Sequence, residues 1–172
     1  VYSCPCPTVT ISNTSPTTCG GTDGSIKICG LIPGKKIYTV NYSKNGVPQS
    51  AISNITVDSD GCYVMTGLGA GAYTNIRVTS LSCTNPTPLS STLKDPGPGS
   101  PQLSANTQTA VCSGKSIVLE GSCPSGSVIG WYSDAATTSS VSVNQTITAP
   151  ISFYATCITN PGGCKSDNPL KV

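Results

Sequence analysis

The chain of 172 residues contains no histidine, and it has only one tryptophan, one phenylalanine and one methionine. Charged residues make up only 9% of it. Without histidine it lacks the side chain that most often acts as an acid or base near neutral pH. The net charge of +2 comes from scattered lysines and one arginine, which form no basic patch for nucleic acid. We therefore expect neither an enzyme nor a nucleic-acid-binding protein.

Long apolar runs and helical periodicity are also missing. No apolar stretch reaches the length of a membrane span, and the opening VYSC has neither the basic start nor the apolar centre of a signal peptide. No window of eleven residues shows the spacing of an amphipathic helix. We expect no membrane insertion in this segment, and a targeting segment, if there is one, that lies upstream or has been removed.

Short segments rich in Val, Ile, Thr and Tyr alternate with Gly, Pro, Asn and Asp from end to end. This pattern predicts an all-β chain. Tight turns are predicted at Asn45-Gly46, Asp60-Gly61 and Pro33-Gly34. The predicted strands are residues 8–12, 25–29, 36–43, 51–57, 62–66, 73–79 and 87–93 in the first half, and 102–105, 116–121, 127–133, 141–148, 152–159 and 169–172 in the second.

The segment KDPGPGSP at residues 94–101 divides the chain. Its prolines stiffen the backbone and its glycines bend it, as in a short semi-rigid linker. Seven short strands separated by turns are typical of a β-sandwich. The predicted fold is all-β, with two tandem disulfide-stapled immunoglobulin/fibronectin-like β-sandwiches at residues 1–93 and 102–172.

Ten cysteines are the strongest compositional signal. Zinc ligation is the alternative, but the chain has no histidine and no pair of C-x-x-C motifs. A redox-active dithiol would need a neighbour that lowers a thiol pKa, and no such setting is visible. So many cysteines in so short a chain predict disulfides, and with them an extracellular or periplasmic location.

Strand order suggests the pairing in the first half. In a sandwich of this type the second strand runs antiparallel to the fifth, so Cys29 at the end of one should face Cys62 at the start of the other. Cys19 and Cys83 would then join the loop entering the second strand to the loop leaving the sixth.

The second half has a pattern of its own. Cys123, Trp131 and Cys157 follow the Cys…Trp…Cys arrangement of immunoglobulin-like sandwiches, in which the indole packs on a bridge between the sheets. This predicts a Cys123–Cys157 bond and leaves Cys112 to pair with Cys164.

Three motifs in the first half carry a resemblance: CGGTDGSI at residues 19–26, Tyr38 and Tyr42 before Asn45-Gly46, and GLGAGAY at residues 67–73 leading to Val78 and Cys83. Over residues ~8–93 the chain resembles the SprB-type repeat of the gliding-motility adhesins of Bacteroidota. It departs from that repeat in TSLSC at residues 79–83, which replaces the usual aspartate and Gly-Cys, and in the additional Cys29 and Cys62.

The second half, over residues ~102–172, resembles the immunoglobulin-like modules of proteins secreted by the same bacteria, through VCSG at 111–114, WY at 131–132, FY at 153–154 and GCKS at 163–166. Together the resemblances imply a structural or adhesive repeat module of a large exported adhesin or filament at the bacterial cell surface, commonly exported by the type IX secretion system. The implied partners are neighbouring copies or modules of the same protein, and surface polysaccharide.

The ends of the sequence agree with such an array, because it stops inside a predicted strand at residues 169–172 and begins without a lead-in. Cys4 and Cys6 would then lie at a module border, bonded to each other or to a neighbouring module. Two alternatives stay open. One is a pilin-like subunit that polymerises by donating a terminal strand, residues 8–12 or 170–172. The other is a carbohydrate-binding accessory module of a secreted enzyme.

Three local patterns are candidates for ligand sites. The glycine-rich run at residues 18–30 lacks the helix start and the following lysine of a phosphate loop, so we interpret it as a turn entering a strand. Asp58 and Asp60 begin like a calcium loop but lack its later oxygen ligands, which favours a hairpin turn. No other cofactor is expected.

The third candidate is a carbohydrate-stacking platform made of Tyr38, Tyr42, Trp131 and Tyr132. Alternate residues of a strand share a face, which would place the two tyrosines of the first half together. Aromatic side chains on half-buried strands are more often part of the core, and this is the reading we prefer.

Overall fold

The structure is a computed structural model that describes residues 6–35, 37–80, 83–104 and 111–172. The chain divides into two compact units, Val1–Asp95 and Pro96–Val172. Within the described residues every regular element is a β-strand, which confirms the predicted all-β class. Each predicted strand overlaps an observed one, although the predicted ends at Lys36 and Ala105 lie outside the described residues.

The first unit is a β-sandwich of antiparallel strands. Its strands are β1 Thr10–Thr14, β2 Gly24–Cys29, β3 Tyr38–Lys44, β4 Val47–Pro48, β5 Ile52–Ser53, β6 Cys62–Leu68, β7 Gly71–Ser80, β8 Cys83–Thr84 and β9 Leu89–Leu93. One sheet has the order β1-β2-β6. The other is built on the β3–β7 pair, with β4 and β5 on β3 and with β8 and β9 on β7.

The core of this unit lies between the two sheets. Successive residues of a strand point to opposite faces, and in β2 this buries Ile26 and Ile28 completely. They belong to one apolar cluster with Val40 and Val78 of the other sheet. Burying an aliphatic side chain of this size contributes about 1.5–3 kcal/mol, so β2 is a main source of the stability of the unit.

Positive φ angles occur at the turns that the sequence predicts. Asn45 and Gly46 have φ angles of 51° and 81° between β3 and β4, and Gly34 and Gly61 have φ angles of 69° and 75°. Left-handed backbone of this kind is readily adopted by glycine and asparagine. The side-chain oxygen of Asn45 also accepts a hydrogen bond from the backbone of Ala72 at 2.8 Å, which ties this hairpin to β7.

The second unit has shorter strands around a smaller core. They are β10 Gln102–Leu103, β11 Lys115–Val118, β12 Gly121–Ser122, β13 Ser127–Tyr132, β14 Asn144–Ile147, β15 Tyr154–Thr159 and β16 Leu170–Lys171. β10 pairs with β12, β11 pairs with β14, and β13-β15-β16 form a sheet of three strands. Trp131 lies opposite Ala155 across the β13–β15 pair, and both belong to the apolar cluster of this unit.

Most of the segment predicted as a linker is packed into the second unit. Asp95 ends the first unit, where its carboxylate accepts a hydrogen bond from the backbone of Gly20 at 3.0 Å. Further along, the backbone of Gly97 lies so close to Lys165 that an added Cβ would overlap the Lys165 carbonyl oxygen. Pro101 is fully buried. The segment therefore acts as a structural part of the second unit more than as a free spacer.

Candidate functional site

Of the nine cysteines that the structure describes, eight are disulfide-bonded, so the covalent frame is the first feature to place. The predicted Cys29–Cys62 bond is present, with a Cα–Cα distance of 4.0 Å. These two residues are directly opposite each other on β2 and β6, as expected for antiparallel neighbours. The bond therefore staples two strands of the same sheet.

The predicted bond between Cys19 and Cys83 is wrong, because Cys83 is bonded to Cys6 at a Cα–Cα distance of 5.2 Å. Cys19 is itself in a disulfide. Cys83 pairs with Ser80 at the end of β7, whereas the loop that holds Cys19 lies beside Asp95, close to the start of β7. Ten strand residues, about 30 Å, separate the two ends.

The pairing of Cys6 also removes the proposed bond between Cys4 and Cys6. Cys6 precedes β1, and β1 begins opposite the end of β2. The chain leaves β2 at this end and enters β3, and the first residue of β3 pairs with the last residue of β7. The end of β7 therefore lies at the same end of the sandwich. Cys4 itself lies outside the described residues.

In the second unit the predicted Cys123–Cys157 bond is present, with a Cα–Cα distance of 5.6 Å. It joins the residue after β12 to β15, which belongs to a different sheet. Cys157 is completely buried and lies two residues from Ala155, the partner of Trp131. The Cys…Trp…Cys pattern therefore identified an inter-sheet bridge correctly.

The predicted Cys112–Cys164 bond is wrong. Cys112 is a free, exposed thiol, and Cys164 is disulfide-bonded. Cys112 precedes β11, whose first residue pairs with the last residue of β14. From there the chain turns towards the start of β15. Cys164 instead follows the end of β15, where its carbonyl oxygen accepts a hydrogen bond from the backbone of Thr159. The length of β15, about 20 Å, separates the two cysteines.

The glycine-rich run at residues 18–30 forms a turn that leads into β2, as the sequence suggested. Asp23 accepts hydrogen bonds from the side chain and the backbone of Thr17, which hold its carboxyl pKa below the usual value. A Cβ on Gly24 would lie 2.6 Å from the carbonyl oxygen of Leu68, so glycine is needed for the two strands to approach. The carboxylate of Asp23 therefore has a structural partner, Thr17, within its own loop.

The calcium candidate is likewise a turn. One carboxylate oxygen of Asp58 accepts hydrogen bonds from the backbone of Asp60 at 3.0 Å and from the backbone of Cys62 at 2.7 Å. Asp60 is exposed in the turn. In the described part of the chain there is no group of three or more His, Cys, Asp or Glu side chains placed to hold a metal ion.

Replacing Asp58 by alanine is expected to lower the free energy of unfolding by about 1 kcal/mol, because two backbone donors lose their acceptor. Asp60→Ala, which removes the same charge from the same turn, is expected to change it by less than about 0.5 kcal/mol. Urea denaturation of both variants measures the difference. Equal effects would show that the charge, and not the hydrogen bonding of Asp58, matters.

Asp134 closes a loop of the second unit in a similar way. Its carboxylate accepts hydrogen bonds from the backbone of Ser139 at 2.7 Å and of Thr138 at 3.1 Å. These bonds hold the carboxyl pKa below its usual value of 3.8, and the bond from Ser139 has the largest effect. The charged form is therefore the one that the folded loop stabilises.

This lowered pKa predicts how acid acts on the second unit. The folded state binds the proton of Asp134 less readily than the unfolded state, so its contribution is complete above the unfolded pKa of 3.8 and is lost as pH falls through the folded pKa. Asp134→Asn is expected to destabilise the unit at neutral pH, and the difference from wild type should shrink towards about pH 2. Thermal melts across this range measure it, and a constant difference would contradict the assignment.

The aromatic side chains of the first unit do not form a carbohydrate platform. Tyr38 is only 3% exposed, and its hydroxyl accepts a hydrogen bond from the backbone of Ile32 at 3.1 Å. The extra residue at the register shift between Asn41 and Ser43 lies on β7, because two steps along β3 match three along β7, so β3 keeps its alternation. Tyr42 is half-buried, packs against the core cluster that includes Tyr38, and stacks on Tyr73 at a centroid distance of 6.1 Å. The two tyrosines therefore pack against the same core cluster, as residues on one face of β3 are expected to, and that face is turned to the core.

Trp131 and Tyr132, the other two platform candidates, are 3% and 7% exposed, so their ring faces are unavailable for stacking. Tyr132 is covered by Lys165, whose Nζ lies 4.5 Å from the ring centroid. That Nζ also donates to the carbonyl oxygen of Thr137 at 2.5 Å. The preferred interpretation, that these aromatics are structural, agrees with their burial.

Sequence reasoning missed two clefts in the second unit. An apolar groove of about 390 Å³ includes Ile117, Ile147, Phe153 and Val172 among its lining residues. A second cavity of about 560 Å³, here called the Trp131 cleft, is lined by Ser104, Leu119, Glu120, Gly121, Ser122, Ile129, Trp131 and Val143. The only signal was Gly121, since an isolated glycine in a strand pattern indicates a bulge or a close approach.

The comparisons with known proteins reach the second unit. Residues 98–172 match the model of a family described as "Ig-like domain CHU_C associated", an immunoglobulin-like domain associated with Bacteroidota. No curated protein matches the chain. The described residues include no helix that is long and apolar enough to cross a membrane.

Proposed function

We propose that the chain is a structural and adhesive module of a large exported protein at the bacterial cell surface, in which disulfide-braced β-sandwiches provide length, stiffness and attachment. The observation that carries the proposal is the second unit, which combines a match to an Ig-like domain of Bacteroidota with a buried bond between its sheets. That combination is typical of extracellular modules.

The cysteine usage supports the location. Small sandwiches bury a modest core, and disulfides compensate for it in an oxidising compartment. Eight bonded cysteines would not persist in a reducing cytosol. The extracellular side of the cell envelope is therefore the location that we propose, with export by the type IX route that the resemblance implies.

The first unit is proposed to be an SprB-type repeat. The residues that carry this resemblance have structural roles. CGGTDGSI forms the turn into β2, and GLGAGAY connects β6 to β7 with Gly67 and Gly71 at φ angles of 75° and 149°. They specify a scaffold that can be repeated along a chain, so the partners that we propose are neighbouring modules of the same protein.

A non-catalytic role is part of the proposal. Asp23, Asp58 and Asp134, three of the seven acidic residues, use their carboxylates to accept hydrogen bonds within their own loops. Carboxylates bound in this way are held in turns and are poor general acids or bases. Binding and mechanical roles fit these residues better than hydrolysis.

A second candidate function is that of a pilin-like subunit that polymerises by strand donation. The apolar groove of about 390 Å³ favours it, because such a groove can accept the side chains of an extended strand. In this case the chain would act as one subunit of a filament and not as one segment of a long polypeptide.

Antibodies against the folded chain test the proposal on cells of the source organism. They are expected to label intact cells and, after reduction, to detect a polypeptide much larger than 17.4 kDa. Filaments that dissociate to 17.4 kDa subunits would favour strand donation instead. A catalytic domain in the same polypeptide would favour an accessory carbohydrate-binding module, and antigen confined to the cytosol would refute all three.

A further inference from the structure

We propose that the apolar groove of the second unit, with its volume of about 390 Å³, receives residues 1–5 of a second copy of this chain. A disulfide between Cys112, beside the groove, and Cys4 of the second copy holds the two copies together. The proposal names a contact between neighbouring copies, and in that respect it rests on the proposed function.

The first observation is an exposed thiol. Cys112 is the one cysteine with a free thiol in the part of the chain that the structure describes. The eight bonded cysteines are an even number and can pair among themselves. Cys4, which lies outside the described residues, is then the cysteine available to Cys112. A leftover cysteine in a secreted protein indicates pairing between molecules.

The groove lies directly beside this thiol. Val111 and Ser113, the two neighbours of Cys112 in sequence, both line it. Ile151 also lines it and is 55% exposed, so apolar surface is left uncovered there. Residues 105–110, ANTQTA, lie outside the described residues and have no apolar side chain larger than that of alanine, which makes them a poor filling for the groove.

Residues 1–5, VYSCP, offer what the groove lacks. Alternate residues of an extended segment share a face, so a segment joined through Cys4 would direct Tyr2 to the same side. A tyrosine ring buries a large apolar area and keeps a polar hydroxyl at its tip. Ser113 and Thr148, which line the groove and are joined by a hydrogen bond of 3.2 Å, can receive that hydroxyl.

In the first unit the segment starts from the end that is remote from the junction between the units. Cys6 is bonded to Cys83, which follows the end of β7, whereas Leu93, two residues before the end of the unit, pairs with the start of β7. Ten strand residues, about 30 Å, lie between these points. Because Cys4 is two residues from Cys6, their Cα atoms are at most about 7 Å apart.

In the second unit the groove is also remote from the junction. Gly97, the second residue of the unit, packs against the carbonyl of Lys165, which pairs with Ile158 near the end of β15. Phe153, which lines the groove, directly precedes β15, so the length of that strand, about 20 Å, lies between. Each unit, taken by itself, therefore favours a bond between copies. Since the two halves of the bond differ, copies can join head to tail in an open chain.

The bond forms by thiol–disulfide exchange with a small disulfide such as oxidised glutathione. The Cys112 thiolate attacks one sulfur of the oxidant and releases one glutathione thiolate. The Cys4 thiolate of the second copy then attacks the Cys112 sulfur of this mixed disulfide and releases the second. Two cysteine thiols lose two electrons, and their protons end on the two glutathione thiols.

Two single variants of the whole chain test the pairing. On a non-reducing gel after oxidation by glutathione disulfide, the wild-type chain is expected to give a ladder in steps of 17.4 kDa, which reduction removes. Cys4→Ser mixed with Cys112→Ser leaves one thiol of the pair on each chain. The mixture is expected to stop at the dimer, and each variant alone is expected to stay mainly monomeric.

A matched pair of variants tests the groove in the same mixture. Ile151→Glu places a charge on its apolar lining and is expected to lower the ratio of covalent dimer to monomer in a glutathione buffer about tenfold. Val118→Glu introduces the same charge at a position that is 51% exposed and outside the groove. It is expected to leave the ratio unchanged.

Four results would overturn the proposal. One is the absence of covalent dimer from the mixture, and another is an equal yield from Cys4→Ser alone, which would indicate a Cys112–Cys112 bond. A third is an equal dimer ratio for the two glutamate variants. The last is a Cys4–Cys112 peptide that never combines labelled and unlabelled halves when ¹⁵N-labelled and unlabelled wild-type chains are oxidised together. The cell-surface labelling described above tests the proposed function separately.

Discussion

Replacing Cys123 and Cys157 together by alanine is expected to lower the free energy of unfolding of the second unit by about 4 kcal/mol. The bond spans a sequence separation of 34 residues, and closing a loop of that length restricts the unfolded chain by about this amount in the chain-entropy model. Cys157 is also completely buried, so its truncation removes packed atoms from the core. A small domain has only about 5–15 kcal/mol in total.

Urea denaturation followed by the fluorescence of Trp131 measures this loss, because the single tryptophan lies in the core of the same unit. Cys112→Ala is the matched control. It removes an exposed free thiol and is expected to change the stability by less than about 0.5 kcal/mol. A double variant that is as stable as this control would contradict the structural role of the bridge.

Ile28→Ala is expected to destabilise the first unit by about 3 kcal/mol. The side chain is completely buried between the sheets, and its truncation loses transfer free energy and leaves a cavity. Ile32→Ala deletes the same atoms four residues along the chain, where the side chain is 55% exposed, and is expected to cost less than about 0.5 kcal/mol. Thermal unfolding of the two variants measures the contrast, and similar melting temperatures would show that β2 is not a main source of stability.

Local chemistry made most of the fold predictable. Asn45-Gly46 and Asp60-Gly61 mark turns because Asn45, Gly46 and Gly61 adopt positive φ angles, and the alternation of β2 marks a half-buried strand. Cys29 and Cys62 could be paired because neighbouring antiparallel strands place the end of one beside the start of the next. Each of these inferences needs only residues that are close in sequence or in strand order.

The wrong pairings arose from strand direction. Joining Cys19 to Cys83, or Cys112 to Cys164, requires the two cysteines of each pair to lie at the same end of a sandwich. Strand β7 separates the ends that hold Cys19 and Cys83, and strand β15 separates the ends that hold Cys112 and Cys164. Each strand is longer than the Cα–Cα distance of a disulfide, which is at most about 7 Å. Loop length and motif spacing carry no information about this direction.

Packing determined what the sequence could not show about the candidate sites. The bulge in the β3–β7 pair adds its extra residue to β7 and shifts the alternation of that strand between Tyr73 and Ile76, a shift that depends on its pairing with the neighbouring strands. The Trp131 cleft and the unpaired Nε1 of Trp131 arise from the packing of residues that are distant in sequence. Sequence reasoning could mark the tryptophan as core, and it could not find the unpaired N–H.

The contact between Gly97 and the Lys165 carbonyl also bears on how such modules can be exchanged during evolution. A gene fusion that joined a new partner at residue 102 would discard this glycine and the buried Pro101, and so would transfer an incomplete unit. A fusion at the Asp95–Pro96 bond, where the two units meet in sequence, would keep both residues. The proline-glycine segment is therefore inherited with the domain that follows it. Substitution of its first glycine, Gly97, by any residue with a side chain would be selected against, even in a protein whose modules have been extensively reshuffled.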